Sequence, residues 1–247
     1  MVPTMGTLHS LNPEVWARRA AAATCSRLGQ PAVLEQLSHD DRRRFLDRCT
    51  ELSFRSRDAI FSQSLPTTAA FIIIEGLVRT YYLSRVGREV TMAFWSNGDL
   101  IGGPSFFGER PTHIWSAQAI GPTRVLAIST KALKQLAQEL PAVALCIIDA
   151  LSFKLHWVSL MLQTMGTESV TQRLATLLLR LSETYGEAEE SAIVVRYPFS
   201  QADLASMVGA SRPWVSTMFG RLQKQGIVAM RQRHIAIIDL AKLREML

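Results

Sequence analysis

Between Leu140 and Met165 seven apolar residues, Ala144, Ile148, Leu151, Leu155, Val158, Leu162 and Met165, succeed one another at steps of 4, 3, 4, 3, 4 and 3. That spacing holds them on one line of an α-helix, in a stripe narrower than the one by which a helix packs into a globular core. A seam of this width is matched best by a second copy of itself, so the spacing predicts a dimerisation helix over residues 137–166 and a symmetric homodimer. The other reading is a helix packed on a β domain of its own chain. Asp149, Lys154 and His156 interrupt this most apolar stretch. A lipid-facing helix does not accommodate three such groups cheaply, which argues against a membrane span and for a soluble protein.

N-terminal to the helix, residues 53–129 are β-rich: "AFIIIEGLVRTYYLS", "REVTMAFWS", "SAQAIG" and "TRVLAIS" are punctuated by turns at Glu75-Gly76, Val86-Gly87, Asn97-Gly98 and Gly121-Pro122. Runs this short at this spacing predict a compact antiparallel barrel or roll, with the whole domain over residues 31–136. Before it, "LEQLSHDDRRRFLDRC" reads as an amphipathic helix with Leu34, Leu37, Phe45 and Leu46 inward and Ser38 as its cap, Asp41 standing three residues on. Residues 1–30 form a weakly patterned extension. Within it "WARRAAAATCSRL" is too brief an apolar run for an export signal.

Beyond the long helix, Thr167 or Ser169 starts the helix "VTQRLATLLLRLSETYG", which stops at Gly186. An acidic linker, "EAEESA", leads to "IVVRYPFS", and near the C-terminus "GIVAM" and "IAIID" flank the basic turn "RQRH" as a small hairpin. Between these lies a helix-turn-helix frame that begins at Gln201: Leu204, Ala205 and Val208 on the first helix, Gly209 in the turn, Val215 and Met218 on the second. Ala205 is small where the helices cross, Gly209 supplies the positive φ of the turn, and Val215 and Met218 fill the angle. Ser200 caps the first helix with Asp203 reaching back to it; Ser211 caps the second, with Arg212 and Pro213 in its first turn. Helices followed by a hairpin make a winged helix-turn-helix over residues 167–247.

That frame leaves Arg212, Trp214, Ser216 and Thr217 turned outward near a helix N-terminus, the end that enters a DNA major groove in such modules. An arginine there can bond bidentately to guanine. Trp214 lies over sugar-phosphate or a thymine methyl, or else packs on the neighbouring helix. Arg212 is thus the expected base reader, assisted by Gln201, Ser211, Trp214 and Thr217, while Arg221, Lys224, Arg231 and Arg233 serve phosphates. The charge agrees: the net charge is +6, and from Arg196 onward eight basic residues face three acidic ones over 52 positions. A polyanionic partner fits that balance.

Several chemistries are disfavoured. Cys25, Cys49 and Cys146 stand far apart without a C-x-x-C pair, so the sequence encodes neither a disulfide framework nor a zinc knuckle, and a reducing cytoplasm fits best. There is no nucleophile–base pairing, H-x-H spacing or Walker loop to support a catalytic barrel. The remaining alternative is a metabolite-binding module with little DNA contact.

The order of parts, together with "FIIIEGLVRTYYLSRVGREVTMAFWSNGDLIGG" and "FSQADLASMVGASRPWVSTMFGRLQKQGIV", resembles the Crp/Fnr superfamily of bacterial transcription regulators from about Leu34 to the C-terminus. The resemblance implies an α+β fold: an N-terminal β-roll sensor domain of cupin-like jelly-roll kind, a long dimerisation helix and a C-terminal winged helix-turn-helix. It also implies a homodimer on a palindromic double-stranded DNA operator, contact with RNA polymerase, and a small-molecule or redox signal in the roll. The chain departs from the family pattern in three places. Pro213 follows the first arginine where an acidic residue is frequent. In "GDLIGGPSFFGERPTHIWSA", Gly103 stands where cyclic-nucleotide binders have a glutamate, and His113-Ile114 where they have Arg-Ser, with Arg110 the nearest substitute cation. Without that cation a cyclic phosphate loses its strongest partner, so cyclic AMP is not expected. Three scattered cysteines argue against an iron–sulfur cluster, and His113 and His156 are weak grounds for haem. The effector is thus unknown or absent. If one exists, the candidate lining is Gly102, Gly103, Phe106, His113, Ile114 and Trp115.

Overall fold

The computed structural model describes residues 32–87, 89–103, 106–108, 111–189 and 191–247. The expected extension over residues 1–30, with Cys25, and the candidate cation Arg110 lie outside them. The chain divides into two compact units, Met1–Leu83 with Ala93–Leu155 and Ser84–Met92 with His156–Leu247.

In the first unit, β3 (Ala69–Glu75) has Ala70, Phe71, Ile72 and Ile73 buried in succession. An unbroken apolar run of this kind is covered on both faces, unlike the alternating pattern of a half-exposed strand. It pairs antiparallel with β8 (Thr123–Ser129), Ile72 opposite Leu126. This pair is the centre of one of two four-stranded sheets. One runs in the order β1-β8-β3-β6, with β1 at Cys49–Phe54 and β6 at Leu100–Ile101. The other runs β2-β7-β4-β5, with β2 at Ala59–Phe61, β4 at Val78–Leu83, β7 at Ser116–Ala119 and β5 at Glu89–Trp95, of which the part from Ala93 onward belongs to this unit. Between β3 and β4, Gly76 has φ 105°; a Cβ there would stand 2.7 Å from the Pro122 carbonyl oxygen, so no other residue fits.

Three helices close the roll: α1 (His39–Leu46), α2 (Thr130–Glu139) and the first half of α3 (Pro141–Thr167). The first is shorter than the sequence pattern suggests. Ser38 accepts from the Asp41 amide at 3.2 Å and starts the helix there, leaving Leu34 and Leu37 in the turn before it, still buried in the core.

The long helix has two faces. Val143, Cys146, Ile147, Ala150 and Lys154 are buried, whereas Ile148, Leu155 and Leu162 are 55%, 69% and 72% exposed in the single chain. The reading of a helix packed on its own β domain holds for the first face, and the second face is left exposed in the single chain. It is also long and apolar enough to cross a membrane by length and composition, yet its buried face is spent on the roll.

The second unit holds the rest of α3, α4 (Val170–Tyr185), β9 (Gly186–Glu189), β10 (Ala192–Val195), α5 (Gln201–Val208), α6 (Arg212–Lys224), β11 (Val228–Arg231), β12 (His234–Ile237) and α7 (Leu240–Arg244). Of the two caps offered by the sequence, Ser169 is used, in a full capping box with Gln172. The acidic "linker" is not a linker. Gly186–Glu189 pairs antiparallel with β10 and makes the edge of a four-stranded sheet in the order β11-β12-β10-β9. Its glutamates mask the strand because they sit at an edge, where charge is tolerated and the ladder is held by backbone. Residues Ser84–Met92 group with this unit: the Trp157 indole donates to the Met92 carbonyl at 2.9 Å, and the Thr91 and Ser206 hydroxyls lie 2.5 Å apart.

Candidate nucleic-acid interface

The helix-turn-helix is built by two caps and one glycine. Ser200 accepts from the Asp203 amide at 3.2 Å while the Asp203 carboxylate accepts from the Ser200 amide at 2.8 Å. Gly209, at φ 68° and ψ 30°, ends α5 in the left-handed conformation, and the Ala210 amide closes onto the Ala205 carbonyl at 3.0 Å. Ser211 then accepts from the Trp214 amide at 3.3 Å and begins α6, with Pro213 in the first turn where a missing amide is harmless.

Val215, Phe219 and Leu222 form the buried side of α6. Met218, expected inside the angle between the helices, is only half-buried; Phe219, at 1% exposure, takes that place because the larger ring reaches the core from the adjacent position. Ser211, Arg212, Ser216 and Thr217 are exposed, and Trp214 is half-buried. Among the described residues Arg212 has no acidic partner. The Thr217 hydroxyl donates to the Pro213 carbonyl at 3.0 Å, which leaves its lone pairs facing out. Arg221 and Lys224 are exposed in the last turn of the helix.

The wing turns at Gln232-Arg233, with φ 47° and 73°, the two positive values of a hairpin turn matched to strand twist. Arg233 is exposed at its tip. Arg231 is placed differently from the expectation of a free phosphate ligand: its guanidinium lies 3.1 Å from the Glu189 carboxylate on β9. Gln201, half-buried at the start of α5, shares a crevice of about 270 Å³ with Phe199, Met230 and Arg233. Gln201 and Arg233 are thus neighbours, and Arg212 through Thr217 share one helix end.

The candidate effector residues are less coherent. Gly102 has φ 129°, and a Cβ on it would meet the Phe106 ring at 2.7 Å. Phe106 is 2% exposed and part of the core. Gly103 is buried, Trp115 half-buried and Ile114 exposed. His113 is 4% exposed and stacked on Phe61, centroids 4.0 Å apart. Burial pushes its pKa below the ordinary value, so it is neutral at pH 7. Among the described residues its Nδ1 has no hydrogen-bond partner, and neither does the hydroxyl of buried Thr67. Among the described residues no cation stands at the position of the Arg-Ser pair, and the candidate substitute Arg110 lies outside them. His156 is exposed. Cys49 and Cys146 are buried as free thiols, the first pushed up to about 12 by burial.

Two functional candidates were not found from sequence. Arg173 donates through Nε to the Val208 carbonyl at 2.9 Å and through Nη1 to the Glu168 carbonyl at 2.8 Å, bracing the end of α5 against the start of α4. Lys154, read in the sequence only as an interruption, is buried. Its sole sequence signal is that Ile147, Ala150 and Lys154 share a helix face.

A roll of two antiparallel sheets, a long helix with a bare apolar stripe and a capped helix-turn-helix with a wing define a two-domain DNA-binding transcription regulator. Comparison with known proteins agrees at both ends of the chain. Residues 51–139 match the cyclic nucleotide-binding domain and residues 172–246 the Crp-like helix-turn-helix domain. The chain is 25% identical over 221 residues to the anaerobic regulatory protein of Pasteurella multocida, covering 90% of this chain and 80% of that one. It is 26% identical over 222 residues to the nitrogen fixation regulation protein FixK of Bradyrhizobium diazoefficiens, covering 90% and 88%. The solved structure of FixK2 from Bradyrhizobium japonicum superposes with a TM-score of 0.69 at 25% identity, over 80% of this chain and 96% of that one. The chain thus carries a cyclic nucleotide-binding domain followed by a Crp-like helix-turn-helix domain, and is similar along most of its length to transcription regulators of the Crp/Fnr type.

Proposed function

We propose that this regulator works in the cytoplasm as a homodimer, paired along the exposed stripe of α3, and reads a palindromic operator with Arg212 as its principal base contact. The observation that supports this most directly is the N-terminal end of α6: an exposed Arg212, without an acidic partner among the described residues, beside a capped helix start. Ser211, Trp214, Thr217 and Gln201 assist it. Arg221, Lys224 and Arg233 take phosphates, and Arg231 does so by exchanging Glu189 for a phosphate oxygen. The chain is a binding protein rather than an enzyme, and RNA polymerase is its partner on DNA.

Replacing Arg212 with alanine is expected to weaken operator binding by about 1 to 3 kcal/mol, the worth of one bidentate guanine contact, and to leave non-operator binding nearly unchanged. Fluorescence anisotropy on both DNAs measures this; equal losses on the two would remove Arg212 from its role. A signal acts through the roll, and it is not cyclic AMP: His113 is stacked on Phe61 where the phosphate's cation would stand. Calorimetric titration with cyclic AMP is expected to show no binding heat.

A further inference from the structure

On α3 the face toward the roll is made by Val143, Cys146, Ile147, Ala150 and Lys154. Four of these are small or apolar. The fifth is a lysine at 9% exposure, the last buried position before the helix leaves the first unit after Leu155. Its ammonium donates to the Leu100 carbonyl at 2.5 Å and lies 4.8 Å from the centre of the Trp95 ring. Trp95 is itself fixed. Its indole N–H donates to the Thr80 hydroxyl at 2.9 Å, that hydroxyl donates to the Ala93 carbonyl at 3.3 Å, and Phe153 meets the ring edge-on, centroids 6.4 Å apart.

A methionine would fill this place without taking a charge out of water. What the ammonium adds is direction. A hydrogen bond to one carbonyl weakens steeply with angle and distance, whereas apolar surfaces slide. The carbonyl concerned belongs to the first residue of β6, two positions before Gly102, whose φ of 129° marks the start of the glycine loop. On the helix, the lysine is next to Leu155 of the exposed stripe, about 100° around the axis.

We propose that Lys154 is the relay between the glycine loop of the roll and the long helix: movement of β6 draws the ammonium, turns α3 about its axis and so re-aims the stripe of Leu151, Leu155 and Val158 along which two copies pair. Lys154 is a positioning residue for DNA binding, and its role rests on the dimeric reading above. Burial lowers its pKa to about 8, opposed by the carboxylate of Asp99, the charged group that acts on it from beside β6. The titratable neighbours on α3, Asp149 and His156, are exposed. The strength of the relay is therefore tunable within an accessible pH range.

The test uses the full chain, an operator selected from random-sequence DNA, and wild type beside K154M and K154R, with circular dichroism to verify folding. Operator affinity is measured by anisotropy from about pH 7 to about pH 9.5, across the Lys154 titration, and dimerisation by sedimentation. Wild-type affinity is expected to change by about tenfold over this range, an ordinary size for coupling between sites. K154M should fold and dimerise, differ from wild type by about tenfold at pH 7 and show a flat profile; K154R, always charged, should keep the pH 7 affinity and lose the profile. A K154M profile that superposes on the wild type overturns the relay, and so does a flat wild-type profile, which decides the matter even if both variants fail to fold. Wild type sedimenting as a monomer at concentrations that saturate the operator overturns the dimer instead.

Discussion

Lys154 and His113 are both polar side chains placed among apolar ones, and burial drives each toward its neutral form. For Lys154 the consequence for stability has a definite sign. In the unfolded chain the amine titrates near its ordinary 10.5 and in the folded chain at about 8, so between these values the unfolded state binds more protons and stability rises with pH. Below about pH 8 both states are protonated and the folded state carries the full burden of the buried charge. The stabilisation that enters between pH 8 and 10.5 is roughly 3 kcal/mol in total. Urea midpoints of wild type and K154M should therefore converge as pH rises through this window, with K154M the more stable at neutral pH. Parallel curves would mean that the ammonium is solvated. Other single residues were legible without the tertiary fold. Ser38, Ser200 and Ser211 cap the helices for which the sequence marked them, because capping is a matter between a side chain and an amide three residues on.

At the scale of elements, α3 does two jobs that a heptad stripe alone does not separate. Its spacing announces an apolar line, of which Ile148, Leu155, Val158, Leu162 and Met165 are exposed while Ala144 is half-buried and Leu151 packs against the core; a second line, from Val143 to Lys154, is buried against the roll. Since Leu155 and Leu162 are 69% and 72% exposed in the single chain, replacing both with glutamate should leave the monomer fold intact. Four carboxylates would then face each other across the pair, and operator affinity should fall by about a hundredfold or more as the two half-site contacts become independent. Sedimentation and anisotropy on one sample measure both effects; a variant that still sediments as a dimer would place the interface elsewhere. The strand β9 is the element that sequence reasoning lost. Its residues read as solvated linker, and only the partner strand β10 and the counter-charges Arg196 and Arg231 make it a sheet edge.

At the scale of the whole molecule, the twofold symmetry of the proposed pairing along α3 matches the twofold symmetry of duplex DNA. Two copies of α6 related by that axis call for two half-sites about one helical turn apart, roughly 34 Å. Selection from random DNA should therefore return an inverted repeat with that spacing, and a single unrepeated site would contradict pairing along α3. The concentration of positive charge after Arg196 predicts in addition that affinity falls steeply with salt, in proportion to the phosphates neutralised.

What the amino-acid order determined by itself is what depends on neighbours in the chain: the alternation of short strands and turns, the helix caps, the left-handed glycine between two helices and the apolar stripe. These are interactions of residues three to seven positions apart, and they suffice for the fold class and the DNA-binding motif. What only the tertiary structure decided depends on residues far apart in sequence: that His113 stacks on Phe61 in the core, that Arg231 is held by Glu189, and that Lys154 is anchored on a carbonyl 54 residues before it. Whether a polar side chain is a ligand, a brace or a buried charge is set by burial and by its distant partner, and neither can be read from local spacing.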